Sequence, residues 1–171
     1  GYLDNEDVFT VTIKDNEQVV ELTAINDKVP ELKTTATVNG KKEVIAKGEI
    51  TIKDTVEYKH LVPNTEYVIK GTLMDKFTGK PFKVKGKEIT STVKFVPDKA
   101  NGKVEVTFTF DGSAIKKDTE LVVFETLYRN GVELTAHADI NDDGQTVTIK
   151  VPKLENPKTG DERNINQILG V

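Results

Sequence analysis

The chain has 171 residues, of which 30% are charged and 36% hydrophobic, and its formal net charge is −4. This composition is typical of a folded, mildly acidic domain and excludes a nucleic-acid binder that depends on a basic surface. No apolar run is long enough to cross a membrane, and the absence of cysteine excludes disulfides, thiol catalysis and thiolate metal sites.

Short segments rich in Val, Ile, Thr, Phe and Tyr alternate with turns along the whole chain. Pairs such as Asn39-Gly40 and Asn130-Gly131 favour the positive φ angles of tight hairpins. The predicted strands, in chain order, are Val8–Lys14, Val19–Ile25, Glu49–Tyr58, Glu66–Met74, Glu88–Val96, Lys103–Phe110, Glu120–Tyr128, Val132–Asp139 and Thr146–Val151. Many short strands without a convincing amphipathic helix predict an all-β fold, an immunoglobulin-like antiparallel β-sandwich.

Strand alternation places three polar side chains on otherwise apolar rows. Asp75 ends the row of the fourth predicted strand, Glu125 lies between apolar neighbours, and Gln145 begins the row of the last strand. Buried acids and amides are costly unless they are paired, and two neighbouring acids raise the pKa of one of them. The same alternation places Thr55 and His137 on the more polar faces of their strands. Thr55 would therefore need a β-bulge to point inward.

Three segments together resemble a known signature: Ile52–Tyr58 (IKDTVEY), Leu121–Leu127 (LVVFETL) and His137–Val147 (HADINDDGQTV). They are similar to the VaFE-type stalk domains of Gram-positive surface adhesins, which form an internal Thr–Gln ester bond. The resemblance covers roughly residues 32–153. It implies a structural domain that reacts once with itself rather than a turnover enzyme, with no cofactor and no metal.

The resemblance also implies roles for individual residues. The matches are Thr55 for the nucleophile, Gln145 for the acceptor, His137 for the general base, Glu125 for a buried glutamate and Asp75 for an aspartate. Asp139 is the alternative for the aspartate. In that family the three ionisable groups supply proton transfer and charge stabilisation, in the manner of a Ser-His-Asp triad used once.

Both ends of the chain resemble other parts of such surface proteins. Residues 1–29 are similar to the closing strands of a Cna-B/SpaA-type stalk domain, in which Asn26 matches an isopeptide-forming Asn; a plain turn residue is the alternative. Residues 154–171 form a tail that contains a motif similar to a sortase sorting signal, made of Asn156, Pro157, Lys158, Thr159 and Gly160. Residues 30–153 are then the ester-bond domain, and the first residue, Gly1, leads us to expect a piece of a longer chain.

These resemblances imply an extracellular protein anchored to the cell wall of a Gram-positive bacterium. The expected partners are neighbouring stalk domains of the same chain, a sortase with peptidoglycan or pilin, and a host ligand held by other domains.

Two other functions stay open at this point. One is a ligand-binding adhesin module on the same fold, which the 6% aromatic content and the absence of Trp disfavour. The other is a hydrolase that uses His137 with Glu125 or Asp75, although the chain lacks a Gly-framed nucleophile turn.

A partial calcium-loop pattern occurs at residues 139–144, but the position of its closing acid is Lys150, and we predict a turn there. His60 has no partner motif, and we predict a structural role for it.

Overall fold

A computed structural model describes residues 28–154, which form two facing β-sheets. The strands are β1 (Glu31–Thr37), β2 (Glu43–Ile45), β3 (Glu49–Lys59), β4 (Tyr67–Asp75), β5 (Lys80–Pro81), β6 (Lys83–Val84), β7 (Lys87–Glu88), β8 (Thr90–Phe95), β9 (Gly102–Asp111), β10 (Thr119–Arg129), β11 (Val132–His137) and β12 (Thr146–Lys150). The first two predicted strands, Asn26 and the sortase-like motif lie outside the described residues.

The two sheets differ in size. The smaller sheet has the strand order β1-β3-β9, and the larger has the order β2-β12-β10-β4-β5, with β11 beside β10 and β8 beside β4. Strands β6 and β7 form a separate small hairpin. All named pairs are antiparallel except β12 with β2. The predicted all-β, immunoglobulin-like sandwich is therefore confirmed, with one parallel pair that the sequence did not indicate.

The described part of the chain contains two helical segments, both single 3-10 turns at Gly112–Ala114 and Asp143–Gln145. None of its helices is long and apolar enough to cross a membrane. Two of the Asn-Gly pairs form tight turns, because Asn39, Gly40, Asn130 and Gly131 all have positive φ angles.

Strand β1 is the principal element that the sequence analysis missed. Its sequence, ELKTTAT, has few large apolar residues, and it lies at the edge of the smaller sheet. It pairs with β3 in unbroken register from Glu31 opposite Lys59 to Thr37 opposite Lys53. The pairing of β3 with β9 is equally regular, so β3 contains no bulge that could turn its outward side chains into the core.

The core lies between the sheets and includes a close approach at Gly71 on β4. A Cβ atom at Gly71 would lie 2.5 Å from the Phe108 Cζ atom, whose ring is buried against this strand. Gly71 is directly opposite Glu125 of β10. The missing side chain thus lets an aromatic ring from the smaller sheet pack beside a buried acid of the larger one.

We expect Gly71→Ala to lower the free energy of unfolding by about 1–3 kcal/mol, because a methyl group there overlaps the Phe108 ring. Urea denaturation of the purified wild type and variants measures this difference. Thr92→Ala, at an exposed position of β8, is the control and should change stability by less than about 0.5 kcal/mol. Equal effects of the two substitutions would contradict the packing described here.

Candidate functional site

Four polar side chains are buried between the sheets: Thr34, Asp54, Glu125 and Gln145, with relative exposures of 3%, 0%, 1% and 0%. Within the described residues, the Thr34 hydroxyl, both carboxylates and both amide atoms of Gln145 have no hydrogen-bond partner. A buried polar group left unpaired costs about 1–3 kcal/mol. Such groups are rare in folded proteins and call for an explanation, which here is chemical.

Thr34 and Asp54 reach the site from neighbouring strands of the smaller sheet. In the pairing of β1 with β3, Thr34 is opposite Val56, and Asp54 is opposite Ala36. Side chains two positions apart share a face of a strand, so Thr34 and Asp54 are diagonal neighbours on the inner face. The Cβ atoms of such neighbours are no more than about 7–8 Å apart. Their inward direction agrees with the alternating burial of both strands.

Glu125 and His137 come from the larger sheet. They are directly opposite each other in the pairing of β10 with β11, so their side chains extend from the same face. Glu125 is completely enclosed, whereas the His137 side chain is 27% exposed at the rim of the site.

Gln145 is the last residue of the 3-10 turn that precedes β12, and this turn packs on β1. A Cβ atom added at Gly144 would lie 3.5 Å from the Thr34 carbonyl oxygen, so the turn runs near the backbone of β1 at Thr34. The backbone N–H of Gln145 donates to the Asp142 carbonyl at 3.1 Å. The turn therefore fixes the backbone of Gln145 beside Thr34 and leaves its side chain in the core.

The two buried acids titrate as a coupled pair. Burial raises the pKa of Asp54 to about 6, against the opposing effects of hydrogen bonding by Glu125 and by the Thr35 backbone N–H, followed by Lys42 and His137. Burial raises the pKa of Glu125 to about 9, and the neighbouring Asp54 charge raises it further. The two carboxyls do not form a hydrogen bond of good geometry in the described residues. They are nevertheless close enough that each shifts the pKa of the other. With both pKa values raised, the pair retains a proton at neutral pH, an arrangement that can both accept and donate a proton.

Asp142 orients His137 and the turn that carries Gln145. Its Oδ2 atom lies 2.7 Å from His137 Nε2, and its Oδ1 atom accepts from the Gly144 N–H at 2.7 Å. The His137 hydrogen bond lowers the pKa of Asp142, which keeps this carboxylate ionised beside the imidazole. The sequence analysis had placed Asp142 only in a turn.

The structure contradicts Thr55 as the crosslinking residue. Thr55 is on the outer face of β3, half-buried and opposite Thr35 and Glu105, because β3 alternates regularly and has no bulge. The residue before it, Asp54, is the one that enters the site.

The structure also contradicts both candidates for the aspartate. The Asp75 carboxylate accepts the N–H groups of Phe77 and Thr78 in the turn after β4. Asp75 is paired with Leu121, four residues from Glu125, which corresponds to roughly 13 Å along the strand. Asp139 is exposed and accepts from the Asn141 N–H. Asp54 is instead the aspartate that the structure places in the buried site.

One sequence signal could have found Asp54. It lies between Ile52 and Val56 on a row of alternate residues that is buried throughout, the same criterion that singled out Glu125 and Gln145. Thr34 has a weaker signal, since its neighbour on the inner face is the small Ala36.

Two features of the sequence remain, the partial calcium-loop pattern and His60. Around residues 139–144 the carboxylates of Asp139 and Asp142 are engaged by backbone N–H groups and His137. Across residues 28–154 no group of three or more His, Asp or Glu side chains is arranged to hold a metal ion. His60 directly follows β3, and its Nδ1 atom lies 3.3 Å from the carbonyl oxygen of Val29, near the start of the described residues.

Comparisons with known proteins give a family match and a similar fold. The family model described as T-Q ester bond containing domain matches residues 30–149. No curated protein gave a match.

Among solved structures, an adhesin from Mobiluncus mulieris containing intramolecular disulfide, isopeptide and ester bond cross-links is similar in two crystal forms. In each, the TM-score is 0.62 and the identity 20%, over 73% of this chain and 58% of that one. The chain thus spans less than two thirds of the adhesin, and the similarity at this identity shows the fold. A CARDB domain from Pyrococcus furiosus has a TM-score of 0.40 and 14% identity, over 79% of this chain and 99% of that one.

The acid pair predicts a pH dependence of stability. Because the pKa values of Asp54 and Glu125 are raised on folding, the folded chain binds more protons than the unfolded chain between about pH 4 and pH 9. The contribution of this pair to stability is then fully present below this window and is lost as the pH rises through it.

We expect the free energy of unfolding of a Thr34→Val variant to fall from pH 5 to about pH 8.5. Adding Asp54→Asn and Glu125→Gln to the same variant should remove most of that fall. Urea denaturation at a series of pH values measures the free energy of unfolding of the single and triple variants. Both variants lack the Thr34 hydroxyl, so a covalent change at Thr34 cannot cause a difference between them. An unchanged slope in the triple variant would show that the acid pair does not titrate as described.

Proposed function

The chain belongs to the family of T-Q ester bond containing domains, and we propose that it is a structural stalk domain crosslinked by an ester between Thr34 and Gln145. The observation that supports this most directly is that the Thr34 hydroxyl and the Gln145 side-chain amide are both buried, without hydrogen-bond partners in the described residues, on a strand and a turn that pack together. Thr34 replaces Thr55 in this assignment because Thr55 is on the opposite face of its sheet.

The proposed reaction is an acyl transfer within one chain. The Thr34 Oγ1 atom attacks the Gln145 Cδ atom and loses its proton to a base. The Cδ–Nε2 bond then breaks, and the amide nitrogen takes up a proton and leaves as ammonia. The proton removed from Thr34 balances the one gained by the leaving nitrogen, so the reaction needs no oxidant, cofactor or external acid.

We assign the base role to Asp54 and the acid role to Glu125. Asp54 has the lower pKa of the pair and shares the inner face of the smaller sheet with Thr34. Glu125, with the higher pKa, can donate a proton at neutral pH to the departing nitrogen or to the carbonyl oxygen.

His137 is the other candidate base. Its Nε2 atom is engaged by Asp142, and the imidazole acts to lower the pKa of Asp54. We therefore assign His137 the role of keeping Asp54 ionised and stabilising charge in the transition state.

Burial favours one self-reaction over turnover. The reacting groups lie at 0–3% exposure, so a substrate from solution could not reach them without opening the sandwich. A surface cleft of about 470 Å³ beside Asp75 and Phe77 contains none of the four buried groups. A hydrolase would need such access to its nucleophile.

The position of the bond suits a load-bearing domain. Thr34 is in the first strand of the domain, and Gln145 directly precedes the last. Tension applied at the two ends of the domain would pass from Thr34 through the ester to Gln145. Residues 35–144 would then be shielded, and extension of the domain would require a covalent bond to break.

We further propose that this domain belongs to an extracellular adhesin or pilin anchored to the wall of a Gram-positive bacterium. The support is the Asn156–Gly160 motif, the resemblance of residues 1–29 to a second stalk domain, and the fold shared with the Mobiluncus mulieris adhesin. The implied partners are neighbouring stalk domains, a sortase with peptidoglycan or pilin, and a host ligand bound elsewhere in the full protein.

Intact mass spectrometry tests the crosslink. We expect the wild type to be one ammonia lighter than calculated and to be opened by hydroxylamine, which cleaves esters but not isopeptide bonds. Thr34→Ala and Gln145→Ala should have their full calculated masses, because each lacks one reacting group.

Thr55→Ala and Thr35→Ala are the matched controls, since both remove an outward-facing threonine from the same two strands. Both should still lose ammonia. A wild type at its full calculated mass would refute the ester, and a Thr55→Ala variant at full mass would return the nucleophile role to Thr55.

The ester should also stabilise the fold. It closes a loop of about 110 residues, for which the chain-entropy model gives about 4–5 kcal/mol. We expect Thr34→Ala to have a free energy of unfolding lower than that of the wild type by about this amount, measured in urea. Thr35→Ala serves as the control, and a difference below about 1 kcal/mol would mean that strain in the native state offsets the crosslink.

A further inference from the structure

Lys42 links the strand that carries Thr34 to the turn that carries Gln145. Its Nζ atom donates to the Ala36 carbonyl at 2.7 Å and to the Gly144 carbonyl at 2.6 Å. Ala36 is two residues beyond Thr34 in β1, and Gly144 directly precedes Gln145. One ammonium group therefore bridges the two backbones whose side chains are proposed to react.

The backbone of Lys42 is itself held in place. Lys42 follows the tight hairpin in which Val38 and Lys41 exchange two backbone hydrogen bonds. Its own carbonyl accepts from the Thr148 N–H of β12 at 2.8 Å. Lys42 is thus attached to β12 by its main chain and to β1 and the 3-10 turn by its side chain, although as a residue it is exposed.

The charge of Lys42 acts on the acid pair. Burial lowers the pKa of Lys42, while Asp54, Asp142 and Asp143 oppose this effect. In return Lys42 lowers the pKa of Asp54, as does His137.

The charged and titratable groups facing Asp54 come from three elements. They are Glu125 of β10, His137 of β11 and Lys42 of the segment between β1 and β2. Of these, only Lys42 also contacts the backbones of both reacting segments.

We propose that Lys42 is a positioning residue for ester formation, holding Thr34 and Gln145 together and supplying positive charge beside Asp54. This inference rests on the proposed Thr34–Gln145 crosslink. We assign Lys42 no nucleophilic role, because the two carbonyl oxygens around Nζ favour the protonated amine, which has no lone pair for attack.

The test is the rate of ammonia loss from the full chain. The wild type and variants are synthesised in a cell-free translation system, held at a series of pH values from about 5.5 to about 8.5, quenched in acid at timed points and analysed by intact mass. The variants are Lys42→Met, which removes both donors and charge, and Lys42→Arg, which keeps them. Lys41→Met is the control. Lys41 is an exposed neighbouring lysine whose side chain takes part in neither of the two carbonyl contacts of Lys42.

We expect Lys42→Met to slow ammonia loss by about tenfold or more, because small misplacements of reacting groups have effects of this size or larger. Its rate should also rise with pH at a higher midpoint than that of the wild type, because loss of the cation raises the pKa of Asp54. Lys42→Arg should restore most of the rate and the midpoint, and Lys41→Met should match the wild type. A residue that only supported the fold would slow the reaction without moving the midpoint.

A second measurement covers a Lys42→Met variant that reacts too slowly to follow. In a Thr34→Val background, which cannot form the ester, the Asp54 carboxyl is titrated by NMR with and without Lys42→Met. The substitution should raise the pKa of Asp54, and an unchanged pKa would overturn the electrostatic part of the proposal.

The outcomes separate the two proposals. A wild type that never loses ammonia overturns the ester and the role of Lys42 together. A wild type that loses ammonia beside a Lys42→Met variant with the same rate and pH midpoint overturns only the role of Lys42. A slow Lys42→Met variant with a raised midpoint, rescued by Lys42→Arg, supports both.

Discussion

The packing of Asp54 against Glu125 between two sheets is the constraint on which the rest of the structure depends. A carboxyl in an apolar environment resists ionisation, and two carboxyls close together resist it more strongly. The fold accommodates them by leaving one proton on the pair and by placing Lys42 and His137, which both lower the pKa of Asp54, near that carboxyl. Each of these neighbours is anchored in turn, His137 by Asp142 and Lys42 by two carbonyls. The site is therefore a set of charges whose positions are fixed by backbone pairing.

The sandwich topology explains how distant parts of the sequence meet there. The smaller sheet contributes Thr34 and Asp54 from adjacent strands, and the larger contributes Glu125 and His137 from another adjacent pair. Gln145 enters from the turn between them, which packs on β1 and leads into β12. Because the reacting residues belong to the first strand and to the entry of the last strand, folding has to be essentially complete before they meet. The reaction thus reports on the native state and cannot lock in a partly folded chain.

The sequence predicted the sandwich well because its central strands carry strong alternation of large apolar residues. The same alternation identified Glu125 and Gln145, whose neighbours Val123, Leu127 and Val147 are fully buried. It failed at Thr34 because β1 contributes only small or half-buried side chains to the core, and an edge strand with exposed Lys and Thr has little apolar pattern. With β1 unrecognised, the motif match fell on Thr55, one residue from Asp54, and a one-residue shift in a strand exchanges the two faces. The Lys42 and Asp142 contacts depend on the geometry of turns, which the alternation of residues along strands does not predict.

Desolvation also accounts for why such a reaction would stop after one event. Before it, the Thr34 hydroxyl and the Gln145 amide bring three hydrogen-bond donors into a region where the described residues offer them no acceptor of proper geometry. Ester formation removes all three donors, since the hydroxyl proton and the amide nitrogen leave together as ammonia. The product is better suited to the apolar site than the reactants, and the escape of ammonia to solvent draws the reaction forward. Hydrolysis would require water to enter the same enclosed space, so the burial that adjusts the two acids for catalysis also protects the bond they form.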